Sequence, residues 1–381
     1  MRLAFSTSDF VYAGRPRRGL PIILDDEMRP AQPFQDFLLW KLLGQGKYLS
    51  PLTFKTYGER LWDFAMFLGA NNLQWDEEVI AVGTSVVTKY RDWSLGEQAL
   101  ARRTINGRLR LVREFYEWAL AGRLIAKLPF AYSETRAPNR DHMLKHLDEP
   151  GRRIAKSNLE VREWLSMPEF LTIEQLRITR SALRSSGHRL LFDLMTRVGL
   201  RSVEARTFPT KYVFDPSKRT DCQPDRMIRI RLHPSDMSIK FDKPRDVDMP
   251  YSLMQDLHAY TLYERNRLLG ARADEVRELI ATVNGTVFSK DAVGQLFRAV
   301  SAKTSFRATA LMLRHSYAVH TLRRLRAQKD FVGEPLLYVR DRLGHEDVQT
   351  TVVYLRQIDQ LAGGLMLAMH DEFDRLFEST Q

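Results

Sequence analysis

Two side chains near the C-terminal end of the chain, His345 and Tyr354, could take part in group-transfer chemistry. They lie in the segment LGHEDVQTTVVYLRQ and are nine positions apart. A tyrosine hydroxyl is a weak nucleophile at neutral pH, because its ordinary pKa is about 10. It becomes reactive where cations stabilise the phenolate or where a base accepts its proton. The rest of the chain must supply such groups if Tyr354 is to react.

Two arginines upstream have the right chemistry for this task. The segment TRVGLRSVEAR contains Arg201, and the segment LMLRHSYAVHTL contains Arg314. When a phosphodiester is cleaved, negative charge develops on its non-bridging oxygens, and fixed cations stabilise that charge. Arginine suits this role because it stays charged and donates two parallel hydrogen bonds to phosphate. If the substrate is a phosphodiester, Arg201 and Arg314 are the side chains expected to hold the phosphate that is cleaved.

The order Arg, Leu-Arg-His, Leu-Gly-His and Tyr along the chain resembles the tyrosine recombinase (phage integrase) family. The resemblance covers roughly Leu171 to Leu355, and more weakly the helical region before it. It implies a DNA strand-transferase that needs neither metal nor cofactor nor ATP. Tyr354 would attack phosphorus and form a 3′-phosphotyrosyl bond, and a free 5′-hydroxyl would later reseal the strand. His345 would orient the phosphate or assist proton transfer.

A lysine motif completes the resemblance. The segment IKFDKPRDVDMP is similar to the family's β-hairpin motif, Lys-x-x-Lys-x-Arg before a strand. By that resemblance Lys240 is the general acid that protonates the leaving 5′-oxygen, with Lys243 as the alternative and as a DNA contact. Ile239 and Phe241 flank the lysine, where the family usually has glycine.

Leu311 departs from the family pattern. The family usually has His or Lys three residues before the second arginine, and leucine cannot donate a hydrogen bond to phosphate. His315 follows Arg314 directly but points elsewhere on a helix, since adjacent residues lie about 100° apart. We expect it to pack structurally. Three functions stay open: a recombinase or integrase of a mobile element, a type IB topoisomerase, and a catalytically weakened DNA-binding relative that only Leu311 favours.

Composition agrees with a nucleic-acid partner. The 381 residues include 58 Lys and Arg against 47 Asp and Glu, so the net charge is +11. Such an excess suggests a polyanion, here double-stranded DNA. The one cysteine, Cys222, cannot form an intramolecular disulfide, and no signal peptide or membrane-spanning run is present, so we expect a cytoplasmic, nucleoid-associated protein without membrane contact.

The pattern predicts a mostly α fold with a small antiparallel β-sheet. The segment MIRIRL at 227–232 alternates apolar and basic residues, which predicts a half-buried strand, and a turn is expected at 241–244. Thr172 with Gln175 predicts a capping box at the start of a helix. A helical core-binding domain should precede a mixed α+β catalytic domain of the tyrosine recombinase type. The expected segments are a 1–34 extension that is irregular or short-stranded, a 35–130 helical DNA clamp, a 131–168 irregular linker, a 169–355 catalytic domain and a 356–381 tail helix.

One predicted helix, 101–120, carries many arginines. Its apolar residues recur at helical spacing and predict a buried face. Arginines occupy the rest of the helix and are expected to contact DNA phosphates. These residues are Arg102, Arg103, Arg108, Arg110 and Arg113.

The tail after Tyr354 has apolar residues at every fourth position from Leu361 to Phe373, and a Gly363-Gly364 pair that could act as a hinge. The pattern predicts an amphipathic helix that docks on a neighbouring protomer or packs within its own chain. Docking on a neighbour would fit a dimer to tetramer on DNA, with accessory proteins as further partners.

Overall fold

The structure is a computed structural model that describes residues 1–45, 51–77, 84–136, 153–163, 167–346 and 350–354. The chain forms two compact units, Met1–Leu165 and Ser166–Gln381. The finer division into five segments stays a prediction, and the predicted tail helix at 356–381 lies outside the described residues. None of the helices in the described ranges is long and apolar enough to cross a membrane.

The first unit has a core of aromatic and aliphatic side chains on four helices. The apolar stripe predicted for the last of them is confirmed, since Ile105, Leu109, Val112, Tyr116 and Ala119 are all buried. Because these positions recur at helical spacing, they share one face of the helix and pack against the other three. The helices are α1 Phe34–Leu43, α2 Pro51–Ala70, α3 Val86–Gly96 and α4 Arg102–Ala121.

Short strands precede these helices. Strand β1 (Arg2–Phe5) pairs antiparallel with β4 (Pro21–Leu24), and β2 (Val11–Tyr12) pairs with β3 (Arg15–Pro16). Leu20 and Ile23 are buried in the helical core. The N-terminal segment is therefore short-stranded, one of the two forms predicted for it, and it contributes to the core of the first unit.

The segment predicted to be an irregular linker is partly a hairpin. Strand β5 (Tyr132–Arg136) pairs antiparallel with β6 (Arg153–Ser157), and Leu159 is buried in the core of the first unit. The prediction of irregular chain was wrong at these two strands. The cause is that YSETR and RIAKS have few apolar residues, so the alternation that marks a half-buried strand is weak.

The other described α-helices and a further hairpin lie in the second unit. Helix α5 begins with the predicted capping box, in which Thr172 and Gln175 exchange side-chain and backbone hydrogen bonds. The helices are α5 Ile173–Ser181, α6 Ser186–Arg197, α7 Ser202–Arg206, α8 Tyr251–Tyr260, α9 Asn266–Leu269, α10 Lys290–Ser301, α11 Ala310–Ala327 and α12 Pro335–Leu343, and residues 350–354 are also helical.

The hairpin is antiparallel and small. Strand β7 (Met227–Leu232) alternates exposed and buried residues, as predicted, and it pairs with β8 (Arg245–Pro250) so that Arg231 faces Asp246. Residues 238–240, predicted to lead into the turn at 241–244, are not a strand. A mostly α fold with small antiparallel sheets is thereby confirmed.

Two clusters of buried side chains support the functional residues. The larger cluster joins α6, β7, β8, α8 and the start of α11. The smaller one joins α11, α12 and residues 350–354, and it includes Tyr317, Leu336, Val339 and Tyr354. Tyr354 thus belongs to the same buried cluster as side chains of α11 and α12.

Candidate active site

Three arginines converge on one buried carboxylate, that of Glu204 in α7. Arg245 donates to both oxygens, with Nη1–Oε1 at 2.9 Å and Nη2–Oε2 at 2.6 Å. Arg201 Nη1 donates to Oε1 at 2.9 Å, and Arg314 Nη1 lies 3.8 Å from Oε2. Three positive charges against one negative charge leave this cluster with a net charge of +2. We call these four residues the arginine cluster.

Electrostatics keep Glu204 ionised. Burial opposes its ionisation, but the hydrogen bonds and charge of Arg245, with the charges of Arg314 and Arg201, outweigh burial and lower the pKa of Glu204 to about 2. Burial and the two neighbouring arginines also lower the pKa of Arg314 to about 9, so this side chain is still charged at neutral pH. The arginine cluster is thus a fixed positive site.

The end of α12 holds the same three guanidinium groups. The last carbonyls of a helix have no partner within the helix and form the negative end of its dipole, so they favour cations. Arg245 Nε donates to the carbonyl of Arg342 at 3.1 Å, Arg314 Nη2 donates to that of Leu343, and Arg201 Nη2 donates to that of Gly344 at 3.2 Å. Three consecutive carbonyls therefore orient three arginines.

Two glycines of the sequence motifs permit these contacts. Gly199 has φ +76°, its carbonyl accepts from Arg314 Nη1 at 2.6 Å, and a Cβ there would lie 2.5 Å from Cδ1 of Tyr317. Gly344 ends α12 with φ +62°, and a Cβ there would lie 2.7 Å from Cδ of Arg245. A larger residue at Gly344 would displace Arg245, and one at Gly199 would displace Tyr317.

An open cavity of about 310 Å³ lies beside the arginine cluster. Lys240 and Lys243 are both exposed and line this cavity together with Arg201, Arg245 and His345. The structure therefore brings the predicted lysines, the first arginine and the predicted histidine to one basic cavity. A phosphate is the kind of ligand that such a cavity can bind.

His345 follows Gly344 and is half-buried. Its Nδ1 lies 2.9 Å from Oγ1 of Thr351, and its ring stacks on that of Tyr354 with centroids 6.3 Å apart. Burial, Arg314 and Arg201 lower the pKa of His345 to about 3, so the imidazole is neutral at neutral pH.

Tyr354 is nearly enclosed, with an exposed fraction of 2%. Burial raises the pKa of its hydroxyl, while the charges of Arg314 and Arg201 act in the opposite direction. The hydroxyl is a neutral phenol at neutral pH. Its reaction with a bulky substrate requires residues 350–354 to expose it.

His315 packs against Tyr354, with ring centroids 5.6 Å apart, and also forms a hydrogen bond with it. Its Nδ1 lies 2.8 Å from the hydroxyl oxygen of Tyr354. Burial and Arg314 lower the pKa of His315 to about 4, which leaves a neutral ring that can accept the phenolic hydrogen. The helical rotation from Arg314 was inferred correctly, but the sequence did not show that residues 350–354 pack on that side of α11.

Leu311 lies one turn before Arg314 on α11 and is 63% exposed. It does not line the basic cavity.

The five arginines of α4 belong to the first unit. Arg102, Arg103 and Arg110 are exposed, and Arg102 Nη1 donates to the carbonyl of Arg162 at 3.0 Å. Arg108 pairs with Asp63 at 2.6 Å, and Arg113 lies 3.5 Å from Glu117 and 3.6 Å from Glu160. The exposed members are the ones free to approach a polyanion without first breaking an ion pair.

Sequence reasoning missed two members of the arginine cluster. Glu204 follows Arg201 by three residues, a spacing that brings side chains together on one face of a helix. Arg245 is the last residue of the Lys-x-x-Lys-x-Arg pattern. Both signals were present, but burial of an arginine against a glutamate depends on tertiary packing.

Comparisons with known proteins agree with this fold. The family model of the phage integrase N-terminal SAM-like domain matches residues 38–122. Transposase A from transposon Tn554 of Staphylococcus aureus is 23% identical over 376 residues, which cover 94% of each chain. Tyrosine recombinase XerC of Halalkalibacterium halodurans is 24% identical over 351 residues, covering 86% of this chain and 93% of that protein.

Solved structures show the same fold. The XerH site-specific recombinase, in a post-cleavage complex with a palindromic difH substrate, is 16% identical with a TM-score of 0.54 and covers 90% of each chain. The Tn1549 transposon integrase, in complex with transposon right end DNA, is 15% identical with a TM-score of 0.53 and covers 82% of this chain and 91% of that one. The chain has the fold of the tyrosine recombinases and is similar in sequence to members of that family, which are DNA strand-transferring enzymes that require neither metal nor ATP.

Proposed function

We propose that this chain is a site-specific recombinase or integrase of a mobile element, with Tyr354 as its nucleophile. The observation that carries the assignment is the basic cavity, which Arg201, Lys240 and His345 line beside a buried Arg314. The names of two relatives, a transposase and a transposon integrase, support the mobile element. The DNA in the solved complexes supports double-stranded DNA as the partner.

The proposed chemistry keeps the energy of the broken phosphodiester bond in a new phosphotyrosine bond. The Tyr354 hydroxyl loses its proton to water and attacks phosphorus, an O–P bond to tyrosine forms, and the bond from phosphorus to the 5′-oxygen breaks. Arg201 and Arg314 hold the non-bridging oxygens, where charge develops, and His345 orients the same phosphate. Lys240 donates a proton to the leaving 5′-oxygen, with Lys243 as the alternative donor. A second 5′-hydroxyl then attacks the phosphotyrosine and reseals the strand.

DNA affinity is proposed to depend on the first unit as well. The exposed arginines of α4, Arg102, Arg103 and Arg110, would contact backbone phosphates. Arg108 and Arg113 would contribute once their ion pairs open. Recombination between two duplexes requires more than one active site, so we propose a dimer to tetramer on DNA, located with the nucleoid in the cytoplasm.

A suicide-substrate assay tests the nucleophile. The probe is a pool of duplexes with a randomised centre and a nick that lets the short 5′-hydroxyl fragment diffuse away after cleavage. Wild-type protein should form a covalent adduct that survives denaturation, and the DNA in that adduct defines the substrate for all later assays. Tyr354→Phe should form none, while the matched control Tyr263→Phe, an exposed tyrosine outside the cavity, should form as much as wild type.

The same assay separates the alternatives. An adduct that survives Tyr354→Phe would refute the nucleophile. Resealing of single duplexes without exchange between two labelled duplexes would favour the type IB topoisomerase. DNA binding without any adduct would favour the weakened relative, the reading that Leu311 suggests.

A further inference from the structure

The connection between β7 and β8 carries an exposed aromatic side chain in a strained backbone. Phe241 is 62% exposed and has φ +66°, and the next residue, Asp242, has φ +50°. Residues other than glycine rarely adopt this left-handed conformation, because Cβ approaches the following carbonyl. Strain of this kind persists only where the surroundings impose it, and it is concentrated at functional sites.

Buried residues on both sides fix this turn. Ile239, before it, is 6% exposed, and Arg245, after it, is 7% exposed and bound to Glu204. The turn therefore cannot change its conformation without exposing Ile239 or Arg245 to solvent. These two buried residues keep the phenylalanine ring exposed, and one of them, Arg245, belongs to the arginine cluster.

The ring borders the basic cavity. Phe241 lines it together with Lys240 and Lys243, and Nζ of Lys240 lies 4.6 Å from the ring centroid. An ammonium at this distance is attracted to the ring face. The exposed ring of Phe241 thus lies beside a basic cavity that can bind phosphate.

A nucleobase is the group that matches both features. In DNA an aromatic face lies within a few bonds of every phosphate, and bases stack on phenylalanine regardless of sequence. We propose that Phe241 packs against a base that flanks the phosphate bound in the cavity, and that it inserts at that step as an apolar wedge. This inference rests on the proposed function for its choice of DNA as the ligand.

The wedge has a consequence for substrate choice. Bases in an intact duplex are stacked, so insertion must open a base step, as other apolar wedges do. Flexible pyrimidine–purine steps open most readily, and a nick opens a step in advance. The chain should therefore bind a nicked duplex more tightly than an intact duplex of the same sequence.

Equilibrium binding to two 30-base-pair duplexes tests the inference. They have the same sequence, and one carries a single central nick with 2-aminopurine beside it. Wild type and Phe241→Trp should prefer the nicked duplex and change the 2-aminopurine fluorescence. Phe241→Leu keeps an apolar side chain without an aromatic face. It should lose about 5- to 150-fold in affinity for the nicked duplex, the equivalent of the roughly 1–3 kcal/mol of a base–aromatic stack.

The salt dependence and a matched control complete the experiment. The slope of log affinity against log salt should be the same in Phe241→Leu and wild type, because no cation is removed. Tyr263→Leu, which removes an aromatic residue that is 75% exposed and lies outside the cavity, should bind both duplexes like wild type. Melting curves verify that each variant is folded.

The outcomes separate this inference from the proposed function. Equal binding of the nicked duplex by Phe241→Leu and wild type overturns the wedge, while a Tyr354-dependent adduct still upholds the recombinase. No adduct from wild type overturns the recombinase, although the loss of affinity in Phe241→Leu would still support a base contact. Failure to bind either duplex overturns both.

Discussion

Glu204→Gln tests whether one buried carboxylate maintains the arginine cluster. The substitution keeps the shape of the side chain but removes its charge, so three arginines remain without a counter-ion. Lowering the pKa of Glu204 from its ordinary 4.5 to about 2 corresponds to roughly 3 kcal/mol of preference for the ionised form. The side chain is fully buried, so solvent screens little of this energy. We expect Glu204→Gln to lose roughly 3 kcal/mol of unfolding free energy at pH 7.

The pH dependence follows from the direction of the pKa shift. A carboxyl group with a lowered pKa in the folded state contributes stability above its unfolded pKa, and this contribution is lost as the pH falls through the folded pKa. The difference in unfolding free energy between wild type and Glu204→Gln should therefore have its full value above pH 4.5 and decrease towards pH 2. Urea unfolding at pH 7, 5 and 3.5 measures it. Equal stability at pH 7, or a constant difference over this range, would refute the reasoning.

Cleavage should respond to the same substitution. Arg201 would lose its carboxylate partner, and a displacement of about 1 Å in a positioning group can cost on the order of 100-fold in rate. Single-turnover adduct formation on the selected suicide duplex measures this loss. The matched control is Asp193→Asn, which removes a buried carboxylate that pairs with Arg180 at 2.8 Å outside the cluster. That variant should be destabilised yet cleave like wild type, and equal losses of cleavage in both variants would indicate general destabilisation.

Three further predictions concern other parts of the site. Leu311→His should raise single-turnover cleavage by about tenfold through a new donor without lowering the melting temperature, because position 311 is 63% exposed; an unchanged rate would show that the donor is not limiting. His315→Phe should leave the Tyr354 hydroxyl without its acceptor and speed hydrogen exchange at 350–354, at a cost of about 1–3 kcal/mol; unchanged protection contradicts it. Arg103→Ala with Arg110→Ala should reduce the salt slope of DNA binding by about two, measured from 50 to 200 mM salt, and a slope equal to wild type would remove α4 from the interface.

The sequence was sufficient for the fold class and for several residues in and beside the basic cavity. Arg201, Arg314 and His345 were identified because each follows a motif of restricted composition, and the motifs occur in a fixed order. Strand β7 was predicted because its alternation is complete. These features depend on residues that are close together in the sequence, so they can be predicted without knowledge of the tertiary packing.

The start of the second strand was less readable. Residues 238–240 have the composition of a strand, but Phe241 and Asp242 take left-handed conformations, and the pairing begins only at Arg245. Glycine would have marked such a turn, and this chain has none there. The turn itself was predicted at 241–244, but its two left-handed residues were not, because neither is a glycine.

The contacts of His315 and Arg245 depend on tertiary packing. His315 meets Tyr354 only because α11 and residues 350–354 share one cluster of buried residues. Arg245 meets Glu204 only because β8 packs beside α7 and the end of α12. Sequence positions 39 and 41 residues apart give no signal for either contact.

The Leu-Gly-His motif has a second role that its side chains do not reveal. The carbonyls of Leu343 and Gly344 accept hydrogen bonds from Arg314 and Arg201, so the backbone of the motif orients both arginines. Its glycine leaves room for Arg245 and permits the left-handed end of α12. A helix C-terminus presents these carbonyls together, whereas side-chain acceptors would each need a separate position. The motif therefore orients two arginines through its backbone as well as supplying His345, and these backbone requirements explain why a glycine precedes the histidine.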